Sequence, residues 1–214
     1  MLHLLVATRS AHKLREIRQI LALYPEIEPI DLTDAGIPES PDEDAIEAFE
    51  TFEENAMAKA RFFATRSGLP VLADDSGLCV DALGGAPGVR SKRFSGRTDL
   101  KGAELDRANN ALLLERLAGV SEEQRTARYV CAAAVVFPHG VEEVFRGTCE
   151  GIILTEPRGA GGFGYDPLFY LPDEGATFGE VAPERKDRVS HRGRAVRAAG
   201  EWLVKGVDPA EGNG

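Results

Sequence analysis

The order of apolar segments along the chain constrains its fold more than any other feature of the sequence. In the N-terminal half, short apolar runs at residues 2–7, 27–32 and 71–73 alternate with segments in which apolar residues recur at helical spacing. In the C-terminal half, apolar runs at 129–137 and 141–148 are joined through Pro138-His139-Gly140, which predicts a β-hairpin. Strand–helix alternation gives parallel neighbours and a hairpin gives antiparallel ones. The sequence therefore predicts an α/β fold with a mixed sheet.

The same periodicity predicts where the helices and the remaining strands lie. Helices are expected after Ser10 and over 45–64, 103–117 and 189–204. Further strands are expected at 78–82, after a break at Ser76-Gly77, and at 152–155. Ser121 and Gln124 have the spacing of a capping box, which predicts a short helical turn there.

Composition and charge exclude several classes of protein. With 43% hydrophobic residues, 23 Gly, 12 Pro and 3 Cys, the chain is neither collagen-like nor disordered nor a disulfide scaffold. The net charge of −10 argues against a binder of long nucleic acids, because phosphate backbones select basic faces. No apolar stretch approaches the ~20 residues that cross a bilayer, and no basic-then-apolar leader pattern is found. We therefore expect a cytoplasmic protein with reduced thiols and no membrane partner.

The loop between the first strand and the first helix is a candidate phosphate site. Free N–H groups at a helix N-terminus favour anions, and open α/β sheets bind ligands at such loops. Thr8 and Ser10 offer hydroxyl donors, and Lys13 offers a positive charge. An ordinary connection in which Ser10 caps the helix is the alternative. The candidate residues are Thr8, Arg9, Ser10, Ala11, His12 and Lys13.

Two adjacent carboxylates, Asp74 and Asp75, follow the apolar run at 71–73. Successive side chains of a strand point to opposite faces, so only one of the two can face a given site. A carboxylate at a strand end suits Mg²⁺, and an Asp held at a metal can also take a proton from an attacking water. Asp-Asp-Ser-Gly is also a favourable turn sequence, which leaves a structural turn as the alternative.

Charged residues are concentrated in two segments of opposite sign. Eight acids and no Lys or Arg occur between residues 39 and 54, and six cations with one acid occur between 185 and 197. If the helix begins early enough, Glu47 and Glu54 lie two turns apart on one face, where a cation could compensate their charge. The basic segment, which contains Ser190 and His191, could donate hydrogen bonds to an oxyanion or a carbonyl. Solvated helical faces are the alternative for both segments.

The glycine-rich segment at 159–164 has the letters of a dinucleotide-binding motif but not its context, because Tyr165-Asp166-Pro167 follows where a helix is needed. We therefore predict a loop that presents Phe163, Tyr165 and Asp166 as an aromatic wall for a flat base. Packing of both rings into the core is the alternative.

In this order and spacing, these segments resemble the inosine triphosphate pyrophosphatase family over nearly all of residues 2–205. The likeness rests on Thr8 to Lys13, Phe52-Glu53-Glu54-Asn55-Ala56 with Lys59, Ala73 to Leu78, Gly85 to Val89, Gly162 to Pro167 and Ser190-His191-Arg192. It implies a homodimeric enzyme that uses Mg²⁺ to hydrolyse non-canonical purine nucleoside triphosphates (ITP, dITP and XTP) to the monophosphate and diphosphate. The family fold is an elongated mixed sheet flanked by helices, with two lobes and an active-site cleft between them.

The resemblance also implies a role for each site residue. Asp75 would be the catalytic proton acceptor and a metal ligand, with Glu47 as the second acid at Mg²⁺. Thr8 to Lys13 and Lys59 would face the triphosphate. The other nucleotide contacts would come from Ser76, Phe163, Gly164, Tyr165, Asp166, Lys186, His191 and Arg192. One such domain is expected over 1–205, followed by a flexible tail over 206–214.

Three positions depart from the usual pattern of the family. Ser10 stands where Asn is usual and Arg9 where a small residue is common, so either Ser10 reaches phosphate through water or Arg9 substitutes for the missing amide. Lys92 likewise replaces a small residue. Two rival functions are a nucleotide-binding sensor without catalysis and a pyrophosphatase of the same fold that acts on other modified nucleotides.

Overall fold

A computed structural model describes residues 1–46 and 48–206 of the chain, except for the side chains of residues 44 and 45. Within these ranges the strands are β1 (Leu2–Val6), β2 (Ile27–Asp31), β3 (Val71–Val80), β4 (Thr126–Val136), β5 (Glu142–Ile153), β6 (Phe169–Leu171) and β7 (Ala176–Thr177). The α-helices are α1 (Ala11–Leu21), α2 (Phe52–Ser67), α3 (Gly102–Arg116), α4 (Pro183–Val189) and α5 (His191–Val204). No described helix is long and apolar enough to span a membrane.

The strands form one sheet in the order β2-β1-β3-β4-β5-β6-β7. β1 is parallel to both of its neighbours, and Leu5 lies opposite Ile30 of β2 and Val71 of β3. At the other end, β6 is antiparallel to β5 and to β7. The predicted α/β fold with a mixed sheet is therefore confirmed.

The chain divides into two compact units. The first consists of Met1–Asp75, Cys131–Gly147 and the residues from 191 onward, and the second of Ser76–Val130 and Thr148–Ser190. In the first unit, strand residues such as Leu4 and Leu72 pack with Ile17 of α1 and Ala195 of α5. Gly147 of β5 lies so near α5 that a Cβ there would overlap the carbonyl oxygen of His191. In the second unit, the core joins β3 and β4 to α3 and to the aromatic rings of Tyr129, Tyr165, Phe169 and Phe178.

Helix α2 begins at Phe52, so the predicted start near residue 45 is wrong. Thr51 caps the helix, since its Oγ1 accepts a hydrogen bond from the backbone N–H of Glu54 at 3.2 Å. A separate 3-10 helix at Pro41–Ala45 is capped in the same way by Ser40. The expectation that Glu47 and Glu54 share one helical face therefore fails, because residue 47 precedes α2. Glu47 itself lies outside the described residues, as do residues 207–214 of the expected tail.

Strand β3 runs without interruption from Val71 to Val80, so the predicted break at Ser76-Gly77 is wrong. Asp74 and Asp75 lie within the strand rather than at its exit or in a turn. Likewise, residues 152–153 end the single long strand β5 rather than form a separate strand. The capping box at Ser121 is not formed, although a short 3-10 helix does follow at Glu122–Gln124.

The predicted helix over 189–204 is two helices. Ser190 ends α4 in an extended conformation, with φ of −72° and ψ of 158°, and α5 begins at His191. The basic segment 185–197 is therefore divided between α4 in the second unit and α5 in the first. Strands β6 and β7 are not predicted by the sequence, because at three and two residues they are too short for a pattern of alternation.

Candidate functional site

The loop after β1 leads into the N-terminus of α1, as the sequence predicts. Ser10 is the N-cap, and its Oγ accepts a long hydrogen bond of 3.4 Å from the N–H of Lys13. The hydroxyl of Thr8 accepts a bond of 3.2 Å from the N–H of Ser10. No acidic residue lies in the first turn of α1, so the positive end of the helix is not neutralised by its own side chains. The two hypotheses for this loop, an ordinary helix cap and a phosphate site, are compatible. Capping by Ser10 uses the N–H of Lys13, which is one of several N–H groups at the N-terminus of α1.

Arg9 is held by the segment that precedes α2. Its Nε and Nη2 donate to the two carboxylate oxygens of Glu43 at 3.0 and 2.7 Å, and its guanidinium also donates to the carbonyls of Ile37 and Pro38. The hydrogen bond with Arg9 lowers the pKa of Glu43 and raises that of Arg9. A phosphate would have to displace these bonds to reach the guanidinium. Arg9 therefore serves here as a tie between the β1–α1 loop and residues 37–43, and its contact with phosphate stays a prediction.

A buried group of charges surrounds Asp74, and we call Lys13, Glu16, Asp74 and Arg192 the Asp74 cluster. Asp74 has no exposed side-chain surface, and its Oδ2 contacts Lys13 Nζ at 3.1 Å and Arg192 Nε at 3.2 Å. Arg192 also binds the carboxylate of Glu16. Two cations thus meet two acids within the first unit, so that the buried charge is compensated.

Electrostatics stabilise the ionised form of every member of the Asp74 cluster for which a pKa shift is resolved. Burial by itself would raise the pKa of Asp74, but the charges of Lys13, Arg192 and Lys59 outweigh it and hold that pKa far below its usual range. Burial lowers the pKa of Arg192, whereas Asp74 and Glu16 raise it, and the net shift is upward. Burial, assisted by the charge of Asp74, raises the pKa of the neighbouring Cys131 thiol to about 12. Cys79, Cys131 and Cys149, all in the described ranges, are thiols outside any disulfide.

Asp75 has a different partner, as expected for the next residue along a strand. Its Oδ2 accepts a hydrogen bond of 3.1 Å from the side-chain amide of Asn55 in α2. The same amide accepts from the N–H of Phe49 at 2.9 Å and donates to the carbonyl of Phe49 at 3.2 Å. Asn55 therefore ties Asp75 to the residues that lead into α2. Lys59 lies four residues further along this helix, on the same face.

Asp74 and Asp75 are candidate carboxylate ligands for a metal. Mg²⁺ takes one or two carboxylates together with water and substrate phosphate. Asp74 Oδ2 is engaged by Lys13 and Arg192. Asp75, whose carboxylate is oriented by Asn55, is the candidate ligand of the pair. A buried carboxylate oriented by a neutral amide suits such a site. Within residues 1–46 and 48–206, no group of three or more His, Cys, Asp or Glu side chains is arranged to hold a metal. The residues present fit a site completed by phosphate and water.

In the second unit, Lys186 and Asp166 form the centre of another buried group. We call Tyr129, Phe163, Asp166, Phe178 and Lys186 the Asp166 cluster. Lys186 Nζ lies 2.7 Å from Asp166 Oδ2, 5.0 Å from the ring centre of Phe163 and 5.3 Å from that of Phe178. The other oxygen of Asp166 accepts from the hydroxyl of Tyr129 at 3.4 Å. Burial, followed by the charge of Asp166, raises the pKa of Tyr129.

The two rings of the predicted aromatic wall have different environments. Tyr165 is only 3% exposed and packs in the core of the second unit, where its hydroxyl donates to the carbonyl of Ser91 at 2.8 Å. Phe163 is half-buried, and its N–H donates to Asp166 Oδ2 at 2.8 Å. Of the two rings, Phe163 therefore has the surface for a ligand, whereas the core-packing alternative describes Tyr165.

The remaining candidates are divided between the units. Ser76 is half-buried on β3, directly after Asp75. His191 and Arg192 are buried at the start of α5. In the first unit the structure brings Lys13 and Arg192 together at Asp74, and in the second it brings Phe163, Asp166 and Lys186 together. Ala11 and His12 are exposed in the first turn of α1, where His12 Nδ1 lies 2.8 Å from Arg15 Nη2.

Sequence reasoning missed two residues that hold the candidate groups. Asn55 was part of a recognisable motif, and a signal for it exists because an Asn on the apolar side of a helix must find buried partners. Glu16 gave no signal, because it looks like an ordinary acid of an amphipathic helix. Its role becomes apparent only when α5 brings Arg192 beside α1.

Comparisons with known proteins agree with the fold and the motifs. The sequence profile of the Ham1 family matches residues 4–202. A dITP/XTP pyrophosphatase of Frankia alni is 49% identical over 197 residues, which cover 92% of this chain and 94% of that protein. Among solved structures, a HAM1 protein from Coxiella burnetii has a TM-score of 0.82 at 36% identity, and covers 96% of this chain and 100% of its own. A nucleoside-triphosphatase / dITP/XTP pyrophosphatase from Mycobacterium abscessus has a TM-score of 0.69 at 44% identity, covering 92% of this chain and 98% of its own. The chain belongs to the Ham1 family.

Proposed function

We propose that this protein is a nucleoside triphosphate pyrophosphatase that hydrolyses ITP, dITP and XTP to the monophosphate and diphosphate, and so removes them from the nucleotide pool. The observation that carries the proposal is the buried Asp75 carboxylate, oriented by Asn55 at 3.1 Å, in a chain that is 49% identical to a dITP/XTP pyrophosphatase. The sequence match covers 94% of that relative, which supports transfer of the reaction class.

The triphosphate is assigned to residues of the first unit. The N-terminal N–H groups of α1 favour an anion, and the hydroxyls of Thr8 and Ser10 add donors. Lys13 and Lys59 supply positive charge, and the 18% exposure of the Lys13 side chain leaves it accessible while it binds Asp74. The role assigned to Asp74 is therefore to orient Lys13, and not to serve as a metal ligand.

Asp75 accepts the proton of the attacking water. As the water oxygen adds to the α-phosphorus, the bond from that phosphorus to the bridging oxygen between the α- and β-phosphates breaks. The diphosphate leaves with the electron pair of that bond. The amide of Asn55 donates to one oxygen of Asp75, which fixes the rotation of the carboxylate and directs its other oxygen. Mg²⁺, held by Asp75 and Glu47, would neutralise the phosphate charges during this step.

The base is assigned to Phe163, the backbone of Gly164 and Tyr165, and the polar groups of Asp166, Lys186, Ser76, His191 and Arg192. Phe163 offers a half-buried ring for stacking. Inosine and xanthosine present a 6-oxo acceptor, which a guanidinium such as Arg192 or a backbone N–H can satisfy. Adenine presents an amino donor there, and each unpaired donor in a dry pocket costs roughly 1–3 kcal/mol. The site would therefore bind adenine nucleotides less tightly than those of inosine or xanthosine.

Diphosphate release from a panel of nucleoside triphosphates with Mg²⁺ tests the proposal. We expect ITP, dITP and XTP to be hydrolysed with the highest kcat/KM, and removal of Mg²⁺ with a chelator to stop the reaction. Asp75→Asn should lower turnover by at least ~10²-fold while the protein stays folded. Asp173→Asn, at an exposed position, is the matched control. Tight binding without diphosphate release would identify a sensor, and preference for another nucleotide would identify the rival substrate class.

Two properties of the assembled protein belong to the same proposal. We infer a homodimer and a cytoplasmic location, which agree with an enzyme that acts on free nucleotides. Sedimentation at micromolar concentration tests the first, and a monomeric mass with full activity would contradict it. Cell fractionation tests the second.

A further inference from the structure

Both main-chain groups of Gly164 are held by side chains of α3. The N–H of Gly164 donates to Asp106 Oδ2 at 2.9 Å, and its carbonyl accepts from the amide of Asn110 at 3.0 Å. Asp106 and Asn110 are four residues apart, so they lie on one face of the helix and reach the same peptide segment together. Both side chains are half-buried.

This clamp fixes the residue that follows Phe163 in the chain. Gly164 adopts a φ of +62°, in the left-handed region that favours glycine. Because glycine populates many backbone conformations, Gly164 has little intrinsic preference for this one and depends on the two bonds from α3 to hold it. On the other side, the N–H of Phe163 is held by Asp166. A Cβ at Gly162, which has a φ of +73°, would overlap the carboxylate of Asp166. The backbone that carries the Phe163 ring is therefore held by α3 on one side and by Asp166 on the other, and Lys186 Nζ lies 5.0 Å from the ring centre.

The same helix supports the next residue through the backbone of Ser91. Asn109 Nδ2 donates to the carbonyls of Ser91 and Lys92 at 3.4 and 3.2 Å, and the Tyr165 hydroxyl donates to the same Ser91 carbonyl. Burial, with a further contribution from the charge of Asp106, raises the pKa of Tyr165. Asn110 of α3 thus anchors Gly164 directly, and the preceding residue, Asn109, supports Tyr165 through the carbonyl of Ser91.

We propose that Asp106 and Asn110 are positioning residues for base recognition, which act by holding Gly164 so that the ring of Phe163 is preset to stack on the purine. The inference rests on the proposed function, because it assumes that Phe163 meets the base. It assigns specificity to a helix that carries none of the candidate binding residues. A preset ring does not lose rotational and backbone freedom when the substrate binds, so the clamp acts on affinity for the base.

The expected signature is a change in KM rather than in kcat. Asp106→Ala and Asn110→Ala each remove one anchor of Gly164, and should raise the KM for dITP about tenfold with a much smaller change in kcat. Inhibition by inorganic tripolyphosphate should stay unchanged, because that probe lacks a base. Asp106→Asn keeps an oxygen that can accept from Gly164, and should restore KM to within about threefold of the wild type. Glu104→Ala, at an exposed position of the same helix, is the control.

A double-mutant cycle with Phe163→Ala separates positioning from general loss of structure. If Asp106 acts through the ring, Asp106→Ala should change KM by less than about twofold once Phe163 is Ala. Additive effects on KM, an unchanged KM in the single variants, or weaker inhibition by tripolyphosphate would each overturn the inference. A wild-type protein that does not hydrolyse dITP would instead refute the proposed function.

Discussion

At the scale of single residues, the Asp74 cluster makes stability depend on pH. The folded-state pKa of Asp74 lies well below its unfolded value of about 4. The stabilisation from this group is therefore fully present above pH ~4 and is lost as the pH falls below that value towards the folded pKa. At neutral pH, Asp74→Asn should destabilise the protein by about 3–5 kcal/mol, because it removes the acid that Lys13 and the buried Arg192 share and leaves Glu16 as the one acid of the cluster.

Urea unfolding of the wild type and Asp74→Asn between pH 6 and pH 2.5 measures this effect. The difference in the free energy of unfolding should be largest at pH 6 and should narrow below pH ~4, where unfolded Asp is protonated. Asp173→Asn, at an exposed site, controls for the loss of one acid. A difference that stayed constant with pH would show that shape, and not charge, accounts for the loss.

Sequence alone predicted some of these residues but not their partners. Lys13 and Arg192 are recognisable as candidate cations, yet they are 179 positions apart in the chain and meet at Asp74 only after folding. The alternation of a strand predicted that Asp74 and Asp75 would not face the same site, and the two side chains do contact different partners. It could not predict which Asp would meet the cations, since this depends on which helix covers each face of the sheet.

At the scale of elements, Asn55 links α2 to β3. Its amide makes three hydrogen bonds, two with the backbone of Phe49 and one with Asp75. Asn55→Ala should therefore loosen the approach to α2 and release Asp75 together. We expect a loss of about 2–3 kcal/mol in the free energy of unfolding. We also expect kcat for dITP to fall at least ~10-fold, since Asp75, the proposed general base, loses its orientation.

Thr65→Ala, on the exposed side of the same helix, is the matched control for Asn55→Ala. Steady-state diphosphate release and urea unfolding give the two readouts. If Asn55→Ala lost stability but kept its kcat, Asn55 would hold the fold and not the catalytic carboxylate.

The boundaries of helices and strands show where local sequence patterns are sufficient to predict the ends of an element. The start of α1 followed its Ser10 cap, and α3 differed from its predicted range by one residue at each end. The start of α2 was placed seven residues too early, because Ala45 and the acids after it have good helical propensity. Thr51 and the local bonds from Asn55 to Phe49 select the later start. Asn55 is itself held there by a tertiary contact, its hydrogen bond to Asp75 of β3. For the same reason β3 passes through a turn-like sequence: Asp74 and Asp75 have buried partners that a turn would not supply.

At the scale of the whole molecule, the net charge of −10 is a sum over segments in which several charges are paired in place. In the acidic segment, Glu43 pairs with Arg9 and Asp42 with Arg66. In the basic segment, Lys186 pairs with Asp166, Arg185 with Glu174 and Arg192 with Asp74. Lys186 and Arg192 of this segment are buried with their acids, so they are not part of an exposed basic surface that could follow a phosphate backbone. The proposed site for a small polyanion lies where Lys13 and the N-terminus of α1 come together.

We expect this arrangement to make the protein selective for free nucleotides over polymers. Duplex DNA at a tenfold excess over dITP should leave hydrolysis unchanged, even at 50 mM salt, where binding through phosphate contacts is about 10³-fold or more tighter than at 200 mM. Inorganic tripolyphosphate at the same phosphate concentration should inhibit, because it is small enough to reach α1. Gel retardation of the DNA gives a second readout that does not depend on turnover. Retardation that weakens steeply with salt would contradict the prediction, since it would reveal a basic surface large enough for a polymer.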